Sequence, residues 1–322
     1  MNSGKVAVIG AGAWGTALAI QAGRAGADVT LWARDPVRAD LMARSRENPH
    51  LPGVRLPDSI HITATPPREA DLSVLVVPTQ HTRAVLGYLG SLPGSVAVCA
   101  KGIEIGTLCL PLEIVAECLP GTPSVVLTGP NFAAEVAAGQ PAAAVVAGLD
   151  PAARAEVVRL LSTPSFRLYG NDDAIGAQIG GAAKNVIAIA AGAVIGAGLG
   201  ENARAALITR GLAELSRLVV AMGGRPKTVM GLSGLGDLLL TCTGPSSRNF
   251  SLGFALGGGQ ALASILAARR AVTEGVTTAP ALVARAQDVD MPICRAVAAL
   301  LAGRTTVAEA MADLLARPLR DE

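Results

Sequence analysis

Aromatic side chains are nearly missing from this chain: four Phe, two Trp and two Tyr make up 2% of 322 residues. With 51% hydrophobic residues, the interior must be built from Ala, Val, Leu and Gly packed closely. Charge is scarce too, at 16% against a typical ~25%. The three histidines, His50, His61 and His81, all lie in the first third, which excludes a histidine proton relay in the second half. Five cysteines (Cys99, Cys109, Cys118, Cys242, Cys294) form no CxxC pair and no set with His at metal-ligand spacing. They read as buried, reduced small hydrophobes, which fits the cytoplasm, and no metal is expected. The net charge is +2 without any dense Lys/Arg block, so no nucleic-acid partner is expected, while small anionic ligands remain open. No basic segment, apolar core and cleavage site precede the first β-run, so no export signal is expected. The longest uncharged apolar run, Val186–Gly200, is shorter than the ~20 residues of a membrane span, so no stable membrane insertion is expected.

Two domains are expected at this length. Lys5–Ile9 is a short β-run that leads into Gly10-Ala11-Gly12-Ala13-Trp14-Gly15 and then a helical pattern. That context gives each glycine a task in dinucleotide binding: Gly10 for the turn, Gly12 so that backbone can approach a pyrophosphate, Gly15 for close helix–strand packing. The helix N-terminus then offers free N–H groups to the phosphates. After the second β-run, Asp28–Trp32, come Arg34 and Asp35. An arginine there accommodates the 2′-phosphate of NADP, whereas an acidic residue would bond the ribose of NAD or cap the next helix. The expectation is NADP(H), with NAD(H) as the alternative.

Further β-runs at 61–63, 72–77, 95–99, 124–127, 142–147 and 166–169 alternate with helices, as in a mostly parallel, doubly wound sheet with helices on both faces. Three strand ends carry polar groups, among them Lys101, with Gly102 after it, and Gly129 to Asn131. Lys101 is either a ligand for a substrate phosphate or carbonyl, or a solvated loop lysine. From Asp172 onward β-runs cease and helices dominate. The expected division is a dinucleotide-binding domain over residues 1–171 and an all-helical domain over 172–322.

The second part opens on QIGGAAKNVIAIAAGAVIGAGLG, residues 178–200, which sets Lys184 alone among small and apolar residues on one long helix. Either that lysine snorkels to water, or it is a proton donor whose pKa is lowered from ~10.4 by burial and nearby positive charge. Asp237 stands at the start of a short helix, where capping alone would explain it. Ser247, Arg248 and Asn249 open another helix and combine an arginine fork with an N-terminus, which suits a phosphate.

Taken together, GAGAWGTALA, AKG at 100–102, TGPNFAAE, GAAKNVIAIAAG, NARAALITRGLAE, GLGDLLLTCT and SRN resemble the bacterial-type NAD(P)-dependent glycerol-3-phosphate dehydrogenases, in the same order across nearly the whole chain. The resemblance implies a Rossmann domain followed by a helical one, and reversible reduction of dihydroxyacetone phosphate to sn-glycerol 3-phosphate for phospholipid synthesis by a homodimer. It implies Lys184 as proton donor and acceptor, and Lys101, Gly129, Asn131, Asp237, Ser247, Arg248 and Asn249 on the substrate side. Near the dinucleotide it implies Gly10, Gly12, Ala13, Trp14, Gly15, Arg34, Lys101, Ala133, Arg248, Val272 and Glu274. Ile195 stands where the family often has Asp, and Asn131 where Thr or Ser is common. Two other readings compete: a ketopantoate or β-hydroxyacid dehydrogenase on the same plan, and a nucleotide-binding sensor without turnover.

Overall fold

The computed structural model describes residues 4–269 and 272–318. The chain divides into two compact units, Met1–Lys101 with Cys109–Gln178, and Gly102–Leu108 with Ile179–Glu322. This division falls inside a long helix rather than at the end of the last strand, where the drop in β-pattern put it. It also assigns a seven-residue segment after Lys101 to the helical unit.

The first unit runs β1 (Lys5–Ile9), α1 (Ala13–Arg24), β2 (Asp28–Trp32), α2 (Pro36–Ser45), β3 (Ile60–Thr63), β4 (Leu72–Leu75), α3 (Thr79–Leu89), β5 (Ser95–Val98), α4 (Pro111–Cys118), β6 (Ser124–Thr128), α5 (Ala133–Ala138), β7 (Ala142–Ala147), α6 (Pro151–Leu161) and β8 (Phe166–Asn171). Its strands form one sheet in the order β3-β2-β1-β4-β5-β6-β7-β8. Every pairing is parallel except β6 with β7. Alternate residues of β1 feed opposite faces: Val6 and Val8 join the core on one side, Ala7 and Ile9 the core on the other. A sheet buried on both faces spares few polar positions, which is why its central strands read as mostly apolar runs, and the buried Ser73 of β4 is satisfied by donating to the Pro93 carbonyl (2.6 Å). The chain leaves β1 towards β2 on one side and returns to β4 on the other, so the direction of winding reverses beside β1. Ligands of such sheets bind at the carboxyl ends of the strands at that point. One of the few aromatics, Trp32, is fully buried at the end of β2 and donates its indole N–H to the Ala64 carbonyl (2.9 Å).

The second unit consists of helices: α7 (Ala174–Gly196), which starts at the end of the sheet unit, α8 (Gly200–Ala221), α9 (Pro226–Val229), a π-turn at Leu232–Gly236, α10 (Asp237–Cys242), α11 (Arg248–Gly257), α12 (Leu262–Ala267), α13 (Glu274–Ala286), α14 (Pro292–Leu301) and α15 (Val307–Leu315). Asp173 caps α7, accepting from the Gly176 N–H (2.8 Å). By length and composition α7 could cross a membrane, but 89% of its most apolar window is buried inside the protein. A helix apolar on every side is a core helix in such a setting.

Small residues let α7 and α11 touch backbone to backbone. A Cβ added at Gly253 would fall 1.9 Å from the Ile189 carbonyl oxygen, and one at Gly192 would fall 2.0 Å from that of Phe250. Gly196 and Gly257 meet the facing helix in the same way. On the far side, Glu214 of α8 is buried and accepts from the backbone N–H groups of Ile293 (2.6 Å) and Cys294 (3.1 Å). It thereby caps α14 from another helix, whose own first residue, Pro292, has no N–H to satisfy. Burial pushes the Glu214 carboxyl above its ordinary range against the pull of those two N–H groups.

Candidate active site

In the sheet unit the candidate groups are mostly backbone. Gly10 has φ +113°, and a Cβ there would strike the Val76 carbonyl 2.5 Å away. A Cβ at Gly15 would sit 1.9 Å from the Gly10 oxygen, so helix and turn are closely packed there. At Gly12, by contrast, an added Cβ meets nothing within 4 Å. The turn is thus tight on its inner side and open at Gly12, which fits the pyrophosphate of a dinucleotide. Ala13 and Trp14 form the first turn of α1, whose N-terminus has no side-chain cap and keeps its N–H donors.

Arg34 is exposed just beyond β2. Asp35 resolves as a cap: its Oδ1 accepts from the N–H groups of Val37 (3.0 Å) and Arg38 (3.4 Å). At the end of β5, the Trp14 indole reaches the Cys99 thiol, whose pKa burial pushes up to about 12 while the charge of Lys101 acts the other way. Lys101 donates to the Gly129 carbonyl (3.0 Å), and Gly129 itself has φ +151°. Asn131 donates through Nδ2 to the Ala143 carbonyl (3.0 Å), while its Oδ1 is buried without a partner among the described residues. Ala133 opens α5.

In the helical unit the candidate groups are side chains. Lys184, on α7, is 8% exposed. A Cβ at Gly180, one turn earlier, would fall 2.4 Å from the Ser233 carbonyl oxygen, so the π-turn lies directly against α7 and delivers α10 to the lysine. Lys184 Nζ donates to Asp237 Oδ1 (2.5 Å) and to Thr241 Oγ1 (2.9 Å). Asp237 is therefore the lysine's partner rather than a cap, and α10 shows no side-chain cap. The charged group bonded to the lysine is a carboxylate. Thr241 was not singled out from the sequence. Its signal was there in DLLLT, since residues four apart lie on one helix face.

Ser247 caps α11 by accepting from the Phe250 N–H (3.2 Å). Asn249 uses both ends of its amide: Nδ2 donates to Asn185 Oδ1 (2.8 Å), and Oδ1 accepts from the Gly275 N–H (3.0 Å). Asn185, also missed, follows Lys184 directly, so this buried chain ties the start of α11 to α7 beside the lysine and to the first turn of α13, where Glu274 lies. The exposed Arg248 donates to the Val272 carbonyl (2.8 Å). The helical unit thus gathers Lys184, Asp237 and Thr241 in one cluster, and links Arg248, Asn249, Val272 and Glu274 around the start of α11.

Residues 5–154 match the profile described as NAD-dependent glycerol-3-phosphate dehydrogenase N-terminus, and residues 173–312 the corresponding C-terminus. Glycerol-3-phosphate dehydrogenase (NAD(P)+) of Gluconobacter oxydans is 54% identical over 318 residues, covering 97% of each chain. The protein of the same description from Acidiphilium cryptum is 56% identical over 318 residues, 98% of each chain. Among solved structures, glycerol-3-phosphate dehydrogenase from Coxiella burnetii superposes with a TM-score of 0.92 at 35% identity, covering 98% of this chain and 99% of that one.

Proposed function

The chain belongs to the NAD-dependent glycerol-3-phosphate dehydrogenase family and is an NAD(P)-dependent oxidoreductase, and from that premise we propose that Lys184 is its proton donor and acceptor in the reduction of dihydroxyacetone phosphate to sn-glycerol 3-phosphate. The observation that supports this most is the buried ammonium held between Asp237 and Thr241. A lysine kept that far from water is held in one orientation by these two acceptors.

The residues around Gly10, Gly12 and Gly15 suit the dinucleotide, which when bound supplies a hydride to the C2 carbonyl carbon. Negative charge then grows on the carbonyl oxygen. The Lys184 ammonium stabilises that charge and transfers its proton to the oxygen, completing the alcohol. In the reverse direction the neutral amine takes the proton from the hydroxyl. Asp237 and Thr241 orient the nitrogen by accepting hydrogen bonds from it. Arg248, in the first turn of α11, is the residue for the substrate phosphate, with Ser247 and Asn249 beside it. Lys101, Gly129 and Asn131 complete the substrate side. Trp14, Arg34, Ala133, Val272 and Glu274 flank the dinucleotide, with Arg34 at the 2′-phosphate, so that NADP(H) is preferred over NAD(H). The same reading makes the protein a cytoplasmic homodimer that provides the glycerol phosphate backbone of phospholipids.

The test is loss of the reduced-nicotinamide absorbance when purified protein meets NADPH and dihydroxyacetone phosphate as sole substrate. A steady signal with this substrate and turnover with a 2-keto acid would overturn the reading in favour of a carboxylate reductase.

A further inference from the structure

The carbonyl oxygen of Ala11, in the middle of the glycine-rich turn, is gripped from behind. It accepts hydrogen bonds from Arg38 Nη2 and from Asn48 Nδ2 (3.0 Å). Asn48 is 1% exposed, and its Nδ2 also donates to Thr16 Oγ1 on α1 (2.6 Å). Its Oδ1 accepts from Arg38 Nη2 (3.1 Å) and from the His50 backbone N–H (3.0 Å). One buried amide therefore joins the glycine turn, α1, α2 and the loop after α2.

The physical consequence runs through a single peptide plane. Ala11 C=O and Gly12 N–H belong to the same rigid trans peptide and point in opposite directions. Fixing the oxygen fixes the direction of the Gly12 donor. Glycines permit this turn but do not enforce it, because glycine is the residue freest to adopt other conformations. The only side chains that hold the Ala11 oxygen among the described residues are Arg38 and Asn48. Holding Arg38 there is costly, since its Nε is buried without a partner among the described residues and burial lowers its pKa. His50, beside it, is pushed down by burial and by the Arg38 charge.

We propose that Asn48, with Arg38, is a positioning residue for dinucleotide binding: it clamps the Ala11–Gly12 peptide so that the Gly12 N–H is aimed, before any ligand arrives, at the pyrophosphate. The inference rests on the dinucleotide reading of the turn. Because the pyrophosphate is common to both cofactors, the clamp acts on NADPH and NADH alike and leaves the proton transfer at Lys184 alone.

The experiment compares wild type with Asn48→Ala and Asn48→Asp, the second keeping the acceptor for Arg38 and the His50 N–H while losing both donors. Dissociation constants for NADPH and NADH are read by nicotinamide fluorescence, together with kcat and the KM for dihydroxyacetone phosphate at saturating cofactor. Loss of the buried donor is expected to weaken both cofactors about tenfold or more by the same factor in both variants, with kcat and substrate KM within about twofold of wild type. Unchanged cofactor affinity overturns the proposal, as does a loss spread equally over kcat and substrate KM, which marks a general packing defect. If Asn48→Ala fails to fold, Thr16→Ala probes the clamp from its other end under the same criteria. Wild-type protein that binds neither dinucleotide would instead sink the reading of the turn itself.

Discussion

In the sheet unit the groups offered to a ligand are backbone donors around an open Gly12, set by turns and strand ends. In the helical unit they are side chains, and apart from the exposed Arg248 the central ones are buried and already paired with one another, as Lys184 is with Asp237 and Thr241. A backbone site costs little to keep when empty, because its donors turn to water. A buried ion pair is different, since each charge depends on its partner for everything that water would have given it. The first unit is therefore expected to lose binding while keeping its fold when altered, and the second to lose chemistry and stability together.

The sharpest division should come from Lys184→Ala, for which kcat is expected to fall by at least ~10²–10⁴-fold while dinucleotide affinity stays at the wild-type value. Near-normal turnover would remove Lys184 from the mechanism. Within the same cluster, Asp237→Ala leaves a buried ammonium without its carboxylate and is expected to lower stability by ~3–5 kcal/mol in urea titrations. The double variant Lys184→Met with Asp237→Leu is expected to recover most of that stability and none of the activity. Wild-type stability in Asp237→Ala would mean that the pair is solvated.

A glycine in each unit sharpens the contrast. Gly253→Ala drives a methyl group into the α7 backbone and is expected to cost ~1–3 kcal/mol of unfolding free energy. Gly12→Ala meets no atom of the protein, so its thermal midpoint should not move while its cofactor KM rises. An unstable Gly12→Ala with normal cofactor binding would erase the distinction.

Smaller effects follow at the edges. Arg34→Ser is expected to lower the ratio of kcat/KM for NADPH over NADH by about tenfold, the worth of one charge-assisted contact. No change in the ratio would detach Arg34 from the 2′-phosphate. The slightest effect concerns Glu214, whose folded-state pKa is raised by burial. Between the ordinary glutamate value of ~4.3 and that raised value the native state holds the extra proton, so stability falls as pH rises through the window. Glu214→Gln lacks this slope, and thermal midpoints of the two proteins should diverge in favour of the variant from the acid side upward. Parallel curves would refute the assignment.

How much of this was legible in the sequence differs between the units for a physical reason. The glycine turn announces itself because strand, turn and helix are contiguous, and Gly10, Gly12 and Gly15 each answer to a local constraint. The long helix carrying Lys184 was legible from its periodicity and its lone charge. Its partners were not fixed by spacing, because Asp237 and Thr241 lie 53 and 57 residues further on and reach it through the π-turn, which reads in the sequence as an ordinary glycine-rich loop. Asp35 could be read as cap or ribose ligand because both roles need the same residue at the same place. Asn48 and Glu214 carried no signal, since an amide or carboxylate that serves distant backbone groups looks like any surface residue until the chain is folded.

The crossing of α7 and α11 has a consequence for anyone wishing to redesign the protein. At Gly192, Gly196, Gly253 and Gly257 no side chain stands between the two helices to act as a spacer that could be trimmed or thickened. Libraries aimed at a new substrate would do well to leave those four positions untouched and to diversify Arg248 instead, the exposed residue at the opening of α11.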